Sequence, residues 1–379
     1  MRLRIAQIVG VIVFLSFQLT GCGSSRVSQS AGNSQKIDRI GSFTPQAATY
    51  HPSDWTQLPG WSNEDFEGAW SAWMNSCKVL SRQRDGLNWR STCERAQGLN
   101  KPNRNEIKAY FEANFRVLEV RQANDVNQYR SGSNLGLITG YYEPEILGSL
   151  TRRGIFQTPL YAYPAAWRNN KPSKYPTRKE LLSGNTLLGS ELVWVADPVA
   201  AAFMQVQGSG QIRLESGEIV RLGFAGTNEH EFKSFAQWLI DRGELTRSQA
   251  SMQSIQKWAK SHPHQVAEML DANPRYIFFK ILSTASAKEG PPGSIGVPLT
   301  PERSIAVDWK SIPQGAPVFL STTHPDKKQP LQRLVFAQDT GSAIIGGVRA
   351  DYYWGSGADA GEKAGRMKQA GKMWVILPQ

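Results

Sequence analysis

Apolar side chains recur at helical spacing soon after the first fifty residues. Phe66, Trp70 and Trp73 share one helical face, and Ser62 precedes them in a position that can cap the helix. The same spacing returns over residues 107–115, where Ile107 is followed three and four positions later by Tyr110 and Phe111, and Phe111 four positions later by Phe115. The pattern predicts at least two amphipathic helices whose aromatic faces are buried.

The spacing changes beyond Asn134, where short apolar runs alternate with turn residues. Residues 211–222 predict a hairpin that turns at Ser216-Gly217. Helical spacing returns over residues 232–272, and short strands follow toward the C-terminus. The chain is therefore predicted to be mainly β with helices, an α+β protein.

The first residues have the pattern of a signal peptide, predicted here over residues 1–21. A positive start precedes an apolar stretch that is too short to form a stable membrane anchor. The stretch ends in Leu-Thr-Gly-Cys, which resembles the lipobox of bacterial lipoproteins and makes Cys22 the predicted lipidation site. The alternative is an ordinary signal peptide with an incidental cysteine. Gly23 follows where an aspartate would resemble an inner-membrane retention signal, so the outer membrane is expected.

Residues 22–49 are rich in Ser, Gly, Gln and Ala and predict a flexible tether. Folded structure is expected to begin near Trp55. Cys77 and Cys93 remain as a candidate disulfide pair in an oxidising compartment, although two free thiols would fit the sequence equally well. The five histidines show no ligand spacing, so neither a metal nor another cofactor is expected.

Composition narrows the function only slightly. The chain is 40% hydrophobic and carries a formal net charge of +11. The excess charge favours an acidic partner, such as nucleic acid, an anionic membrane surface or a carboxylate-rich polymer. No run of five like charges occurs, so ordinary solvated surface charge is an equally good interpretation.

Four separated sequence motifs narrow the predicted function much further than composition does. They lie at residues 139–145 (TGYYEPE), 203–210 (FMQVQGSG), 273–280 (NPRYIFFK) and in the aspartate-rich stretch 337–361. In this order they resemble the membrane-bound lytic murein transglycosylase A family. The resemblance implies a double-psi β-barrel of residues 50–145 and 284–379. It also implies a second β domain, inserted over residues 146–283, and a glycan groove between the two.

The resemblance further implies that Asp351 is the catalytic acid and that Asp339 and Asp359 complete the family's three-aspartate region. Asp359 also heads a sequence typical of a capping box, so a helix-capping role competes with a catalytic one. One carboxyl group can suffice, because the C6 hydroxyl of N-acetylmuramic acid can attack its own C1 and form a 1,6-anhydro sugar. The expected reaction is therefore cleavage of the β-1,4 bond between N-acetylmuramic acid and N-acetylglucosamine.

Side chains that suit a glycan are flat rings, amides and hydroxyl groups. The candidates for substrate binding are Thr139, Tyr141, Tyr142, Gln205, Gln207, Ser209 and Lys280. Packing is expected for Phe203, Phe278 and Phe279. Glu143 is an alternative acid, although its place before Pro144 more simply marks a strand end.

The expected partners are peptidoglycan glycan strands, the outer membrane through the lipid anchor, and cell-wall synthesis complexes, but not nucleic acid. Two other functions compete with this one. A non-catalytic peptidoglycan-binding lipoprotein would share the lipobox and the aromatic groove. An aspartic protease would account for Asp339-Thr340-Gly341, but it needs a second such loop, which the sequence lacks.

Overall fold

The computed structural model describes residues 41–283, 289–326 and 328–379, which form two β-sheets with helices around them. Cys22 and the predicted signal peptide lie outside the described residues. Within the described residues, no helix is long and apolar enough to cross a membrane.

The larger sheet has eight strands drawn from both ends of the chain, in the order β1-β2-β14-β11-β12-β10-β13-β3. Their bounds are β1 (Ala48–Ser53), β2 (Phe115–Gln122), β3 (Gly136–Glu143), β10 (Ser304–Val307), β11 (Pro317–Thr323), β12 (Pro330–Asp339), β13 (Arg349–Ser356) and β14 (Lys368–Pro378). Strand β3 pairs in parallel with β13 and antiparallel with β14. Because β3 pairs with both strands, it closes a ring of six strands, β14-β11-β12-β10-β13-β3, which is the expected β-barrel.

The smaller sheet has six strands, all from the segment between β3 and β10, in the order β5-β6-β4-β7-β8-β9. Their bounds are β4 (Glu145–Ser149), β5 (Thr158–Tyr161), β6 (Glu191–Val195), β7 (Gly210–Leu214), β8 (Ile219–Thr227) and β9 (Ile277–Ile281). The predicted hairpin is β7–β8, and Gly217 in its turn has a φ of +86°. The α+β class and the inserted second sheet are confirmed, while the residue boundaries of the two domains stay a prediction.

Ten α-helices occur among the described residues: α1 (Phe66–Leu80), α2 (Trp89–Gln97), α3 (Arg104–Asn114), α4 (Ala165–Asn169), α5 (Arg178–Ser183), α6 (Pro198–Gln207), α7 (Phe235–Asp241), α8 (Met252–Ser261), α9 (Val266–Asp271) and α10 (Gly357–Arg366). The aromatic faces of α1 and α3 are buried in the barrel core, as the spacing predicts. The expected cap is wrong, because Asp65 rather than Ser62 accepts the hydrogen bond from the Gly68 amide at the start of α1.

Folded structure begins earlier than the sequence indicates. Strand β1 precedes Trp55, and its Ala48 and Tyr50 are buried in the barrel core. The Tyr50 hydroxyl donates a 2.6 Å hydrogen bond to the Ser311 carbonyl, which connects the two ends of the chain. A disulfide joins Cys77 on α1 to Cys93 on α2.

A buried ion pair connects the two sheets. Glu143 at the end of β3 is fully buried, and its Oε1 lies 2.9 Å from Nε of Arg221 on β8. Gln211 of β7 and Ser356 of β13 donate hydrogen bonds of 2.7 and 3.1 Å to its Oε2. Removing one partner of such a pair leaves an uncompensated buried charge, which is strongly destabilising. Glu143 is therefore a structural anchor, and the alternative that it is the acid is wrong.

Candidate active site

A groove with a volume of about 730 Å³ lies between the barrel and the inserted sheet. Its barrel wall includes Asp339 and Asp351. Six of the seven predicted substrate-binding residues also line it: Thr139, Tyr141, Gln205, Gln207, Ser209 and Lys280. Residues far apart in the sequence thus meet around one cavity.

Asp351 lies on β13, where it faces Thr139 of the parallel neighbour β3. The Thr139 hydroxyl donates a 2.6 Å hydrogen bond to Asp351 Oδ1, and the Arg349 guanidinium donates a 2.9 Å hydrogen bond to that hydroxyl. Burial raises the pKa of Asp351, although the Arg349 charge and the Thr139 hydrogen bond both lower it. The result is a half-buried carboxyl that holds its proton to a higher pH than an ordinary aspartate.

Asp339 ends β12 on the same wall of the groove. Its Oδ2 accepts a 2.9 Å hydrogen bond from the Tyr141 hydroxyl, and its Oδ1 accepts hydrogen bonds from the amides of Ser294 at 3.0 Å and Thr340 at 2.9 Å. Burial raises the pKa of Asp339 to about 6, against the lowering effect of these hydrogen bonds. Asp339 is therefore held more tightly than Asp351 and is mostly ionised at neutral pH.

The two tyrosines have different surroundings. Tyr141 is buried against Tyr353 and uses its hydroxyl to hold Asp339, so it supports the carboxylate rather than offering an open ring. Tyr142 does not line the groove; it packs against the barrel core, and Gly361 of α10 leaves room for its ring. Successive side chains of a strand point to opposite faces, so one strand cannot present both rings to one ligand. The groove lining therefore includes Tyr141 but not Tyr142, and their predicted roles in substrate binding stay predictions.

The side chains of Gln205 and Gln207 already accept hydrogen bonds from other groups of the protein. Gln205 is buried, and its Oε1 accepts a 2.5 Å hydrogen bond from the Arg178 guanidinium. Gln207 accepts a 3.1 Å hydrogen bond from the Tyr142 amide, which joins α6 to β3. Both glutamines line the groove, where Ser209 is half-buried and Lys280 is exposed.

Comparison with known proteins adds the family. Residues 137–280 match the MltA specific insert domain, and residues 303–377 match the 3D domain. Membrane-bound lytic murein transglycosylase A of Escherichia coli (strain K12) is 33% identical over 72% of this chain and 74% of its own length. The chain belongs to the membrane-bound lytic murein transglycosylase A family.

Solved structures agree with this family. The lytic transglycosylase LtgG of Burkholderia pseudomallei is 46% identical, covering 90% of this chain and 99% of its own, with a TM-score of 0.59. Escherichia coli MltA with bound chitohexaose is 27% identical, covering 90% of this chain and 97% of its own, with a TM-score of 0.66. The predicted enzyme class, a peptidoglycan lytic transglycosylase, is confirmed, and both alternative functions are set aside.

One member of the family's three-aspartate region stands apart in this chain. Asp359 lies on α10, where its side chain is 85% exposed and pairs with Lys363 at 2.7 Å. It lines a different cavity on the barrel and does not line the groove that holds Asp351. Asp359 is not a cap either, because Ser356 occupies the N-cap of α10 and makes no side-chain capping bond. This position gives no support to its predicted catalytic role, which stays a prediction.

The structure also shows groove residues that sequence reasoning missed. Phe224 on β8 and Phe232 before α7 line the groove with 51% and 38% of their surface exposed. Helical spacing indicated a core position for Phe232, but the residue precedes the helix that would have buried it. Arg178 and Arg275 also line the groove. A basic residue looks like ordinary surface charge in a sequence, and only tertiary contacts distinguish it.

Proposed function

We propose that this enzyme cleaves the β-1,4 bond between N-acetylmuramic acid and N-acetylglucosamine in the groove, with Asp351 as general acid and then general base. The observation that carries this is the half-buried Asp351 carboxyl, which lies in the groove with a raised pKa and one oxygen already held by Thr139. Its other oxygen makes no hydrogen bond within the described residues and can face the substrate.

Asp351 alone can carry out both proton transfers that the reaction requires. Protonated Asp351 gives its proton to the glycosidic oxygen as the bond from C1 of N-acetylmuramic acid breaks. The C6 hydroxyl of the same sugar then attacks C1, and the Asp351 carboxylate removes the hydroxyl proton. The acid returns to its starting state, and the product carries a 1,6-anhydro ring. Attack within one sugar gains from high effective molarity and needs no activated water.

Asp339 has a supporting role in this proposal. Positive charge develops at C1 in an oxocarbenium-like transition state. A fixed carboxylate beside that centre stabilises the charge without reorganising. Asp339 meets this need, because three hydrogen bonds fix its position and a pKa of about 6 leaves it mostly ionised at neutral pH.

Sugar binding is assigned to the exposed rings and polar groups of the inserted domain. The rings of Phe224 and Phe232 are open to the groove and suit the apolar faces of sugars. Ser209 and Lys280 offer a hydroxyl and an ammonium group on the same side. The chitohexaose bound by the Escherichia coli relative supports a glycan as the ligand of this groove.

We also infer that the enzyme is anchored in the outer membrane through lipid on Cys22 and acts from the periplasmic side. The basis is the lipobox-like sequence, and the relatives that are named membrane-bound support it. Labelling with a fatty acid should mark the protein, and Cys22→Ala should abolish the label. Persistent labelling of that variant would exclude this anchor.

The reaction is tested with full-length protein in detergent and purified sacculi. Mass spectrometry of the released muropeptides should show anhydro ends, which are one water lighter than the products of hydrolysis. Reducing ends instead would mean that water attacks C1, and intact sacculi would mean that the groove binds glycan without cutting it.

A further inference from the structure

Charge is divided between the two walls of the groove. The barrel wall carries two carboxylates, Asp339 and Asp351. The inserted-domain wall carries three cations, Arg178, Arg275 and Lys280, and the described lining includes no acidic residue on that side. A neutral glycan needs no such cationic wall.

Arg178 is the most unusual of the three, because it is 4% exposed and forms no ion pair with a described residue. Its guanidinium donates hydrogen bonds to Gln205 Oε1 and to the carbonyl oxygens of Asn273 and Arg275, and it lies 5.0 Å from the Tyr276 ring centroid. Carbonyl dipoles orient this cation but do not neutralise it. Asp271 attracts this cation through space but forms no ion pair with it. A buried charge without a direct ion pair is costly, and Arg178 lines the groove, where an entering carboxylate would supply that pair.

The other two cations are more accessible. One guanidinium nitrogen of Arg275 donates a 2.8 Å hydrogen bond to the His230 carbonyl, and the rest of the group borders the groove. Lys280 on β9 is exposed and makes no ion pair with any residue that the structure describes. Its neighbour across the strands is Gly223, which has no side chain to cover it. An ammonium in this position can follow a flexible anionic group.

Murein glycan differs from chitin in one respect that matters here. Each N-acetylmuramic acid carries a lactyl arm that ends in a carboxylate or, when a stem peptide is attached, leads to the carboxylates of that peptide. We propose that Arg178, Arg275 and Lys280 form a recognition site for a carboxylate carried on this arm. The inference rests on the proposed function, and it assigns the choice of murein over neutral glycans to the inserted domain.

The test compares three ligands on the full-length protein made inactive by Asp351→Asn: neutral chitohexaose, glycan strands stripped of peptide, and strands that keep their stems. Lys280→Gln should weaken binding of an anionic ligand roughly 3- to 10-fold at low salt, as expected for loss of one charge contact. The same change should weaken chitohexaose binding clearly less, because that ligand carries no carboxylate and Lys280 can offer it only a neutral hydrogen bond. Lys280→Arg should retain the preference, and Lys257→Gln on the exposed side of α8, outside the groove lining, is the matched control.

The pattern of losses identifies the source of the anion. A loss on stripped strands assigns the lactyl carboxylate, and a loss confined to stem-bearing strands assigns a peptide carboxylate. Equal losses on all three ligands, or none, would overturn the inference while leaving glycan binding intact. Failure of every glycan to bind would overturn the proposed function and this inference together. Arg275→Gln is measured in parallel, and the absence of any loss means that neither variant loses binding of an anionic ligand.

Discussion

The two walls of the groove are built differently. On the barrel wall, Asp351 is held by a strand pair within a ring of strands, and Asp339 is held by two backbone amides and a buried tyrosine. On the inserted-domain wall, Phe224 and Lys280 project from strands and are both exposed, Phe224 over 51% of its surface. Rigid placement suits proton transfer, which tolerates little misplacement, whereas exposed rings and cations suit recognition of a long polymer. Changes to the barrel wall should therefore affect turnover, and changes to the other wall should affect binding.

The largest effect is expected from Asp351→Asn. The amide keeps the shape of the side chain but cannot exchange a carboxylic proton, so turnover should fall by at least ~10²- to 10⁴-fold. Binding to sacculi should remain, because the change leaves the opposite wall intact. Release of anhydro-muropeptides is the measurement, and the exposed Asp359→Asn serves as the control with near-normal activity. Near-normal turnover by Asp351→Asn, with loss in Asp339→Asn, would reverse the two roles.

A smaller loss of turnover is expected from Thr139→Val. This change removes the hydrogen bond that Thr139 donates to Asp351 Oδ1 and the one that it accepts from Arg349. The Thr139 hydrogen bond lowers the pKa of Asp351. The pKa of the acid should therefore rise, and the alkaline limb of the pH–rate profile should move to higher pH, with turnover reduced roughly 10-fold. Thr139→Ser should restore the profile. If turnover falls but the alkaline limb of the pH–rate profile stays where it is, Thr139 contributes to the shape of the groove and does not set the pKa of Asp351.

Removing a ring from the opposite wall should act on affinity. Phe224→Ala is expected to weaken binding of glycan strands by about 2- to 10-fold, the range for loss of one stacking contact. Turnover at saturating substrate should hardly change, because the acid is untouched. Ile155→Ala, another exposed apolar residue of the inserted domain, is the matched control outside the groove lining. A fall in turnover with unchanged affinity would contradict the division between the walls.

The smallest effect is on stability and concerns Asp339. Its folded pKa of about 6 exceeds the usual 3.8, so the folded protein loses stability as pH rises through this window. Asp339→Asn carries no charge and should escape that loss. Above pH 6 it should be more stable than the wild type by about 1 kcal/mol, roughly 2–4 °C, after allowing for partial solvent access. Thermal unfolding measured at pH 4 and pH 7 tests this, and an equal difference at both pH values would contradict it.

The sequence alone determined the general plan of the molecule. Helical spacing located the aromatic faces of α1 and α3, and the glycine-bounded β-runs placed the β7–β8 hairpin. These features depend on local periodicity, which a sequence displays directly. The ordered motifs added the family, and with it the barrel, the inserted sheet and the enzyme class. Asp351 was singled out in the same way, and its position in the groove makes it the proposed acid.

Tertiary structure decided what local pattern cannot show. Tyr141 and Tyr142 look equivalent in the sequence, but the alternation of β3 directs Tyr141 toward Asp339 and packs the partly buried Tyr142 against the outside of the barrel core. Asp359 lies in the same motif region as Asp351, yet α10 carries it to another surface. Arg178 became notable only when burial left it without a direct ion pair to any carboxylate that the structure describes. Burial, charge pairing and the face that a side chain occupies depend on segments distant in sequence, so they emerge only when those segments pack together.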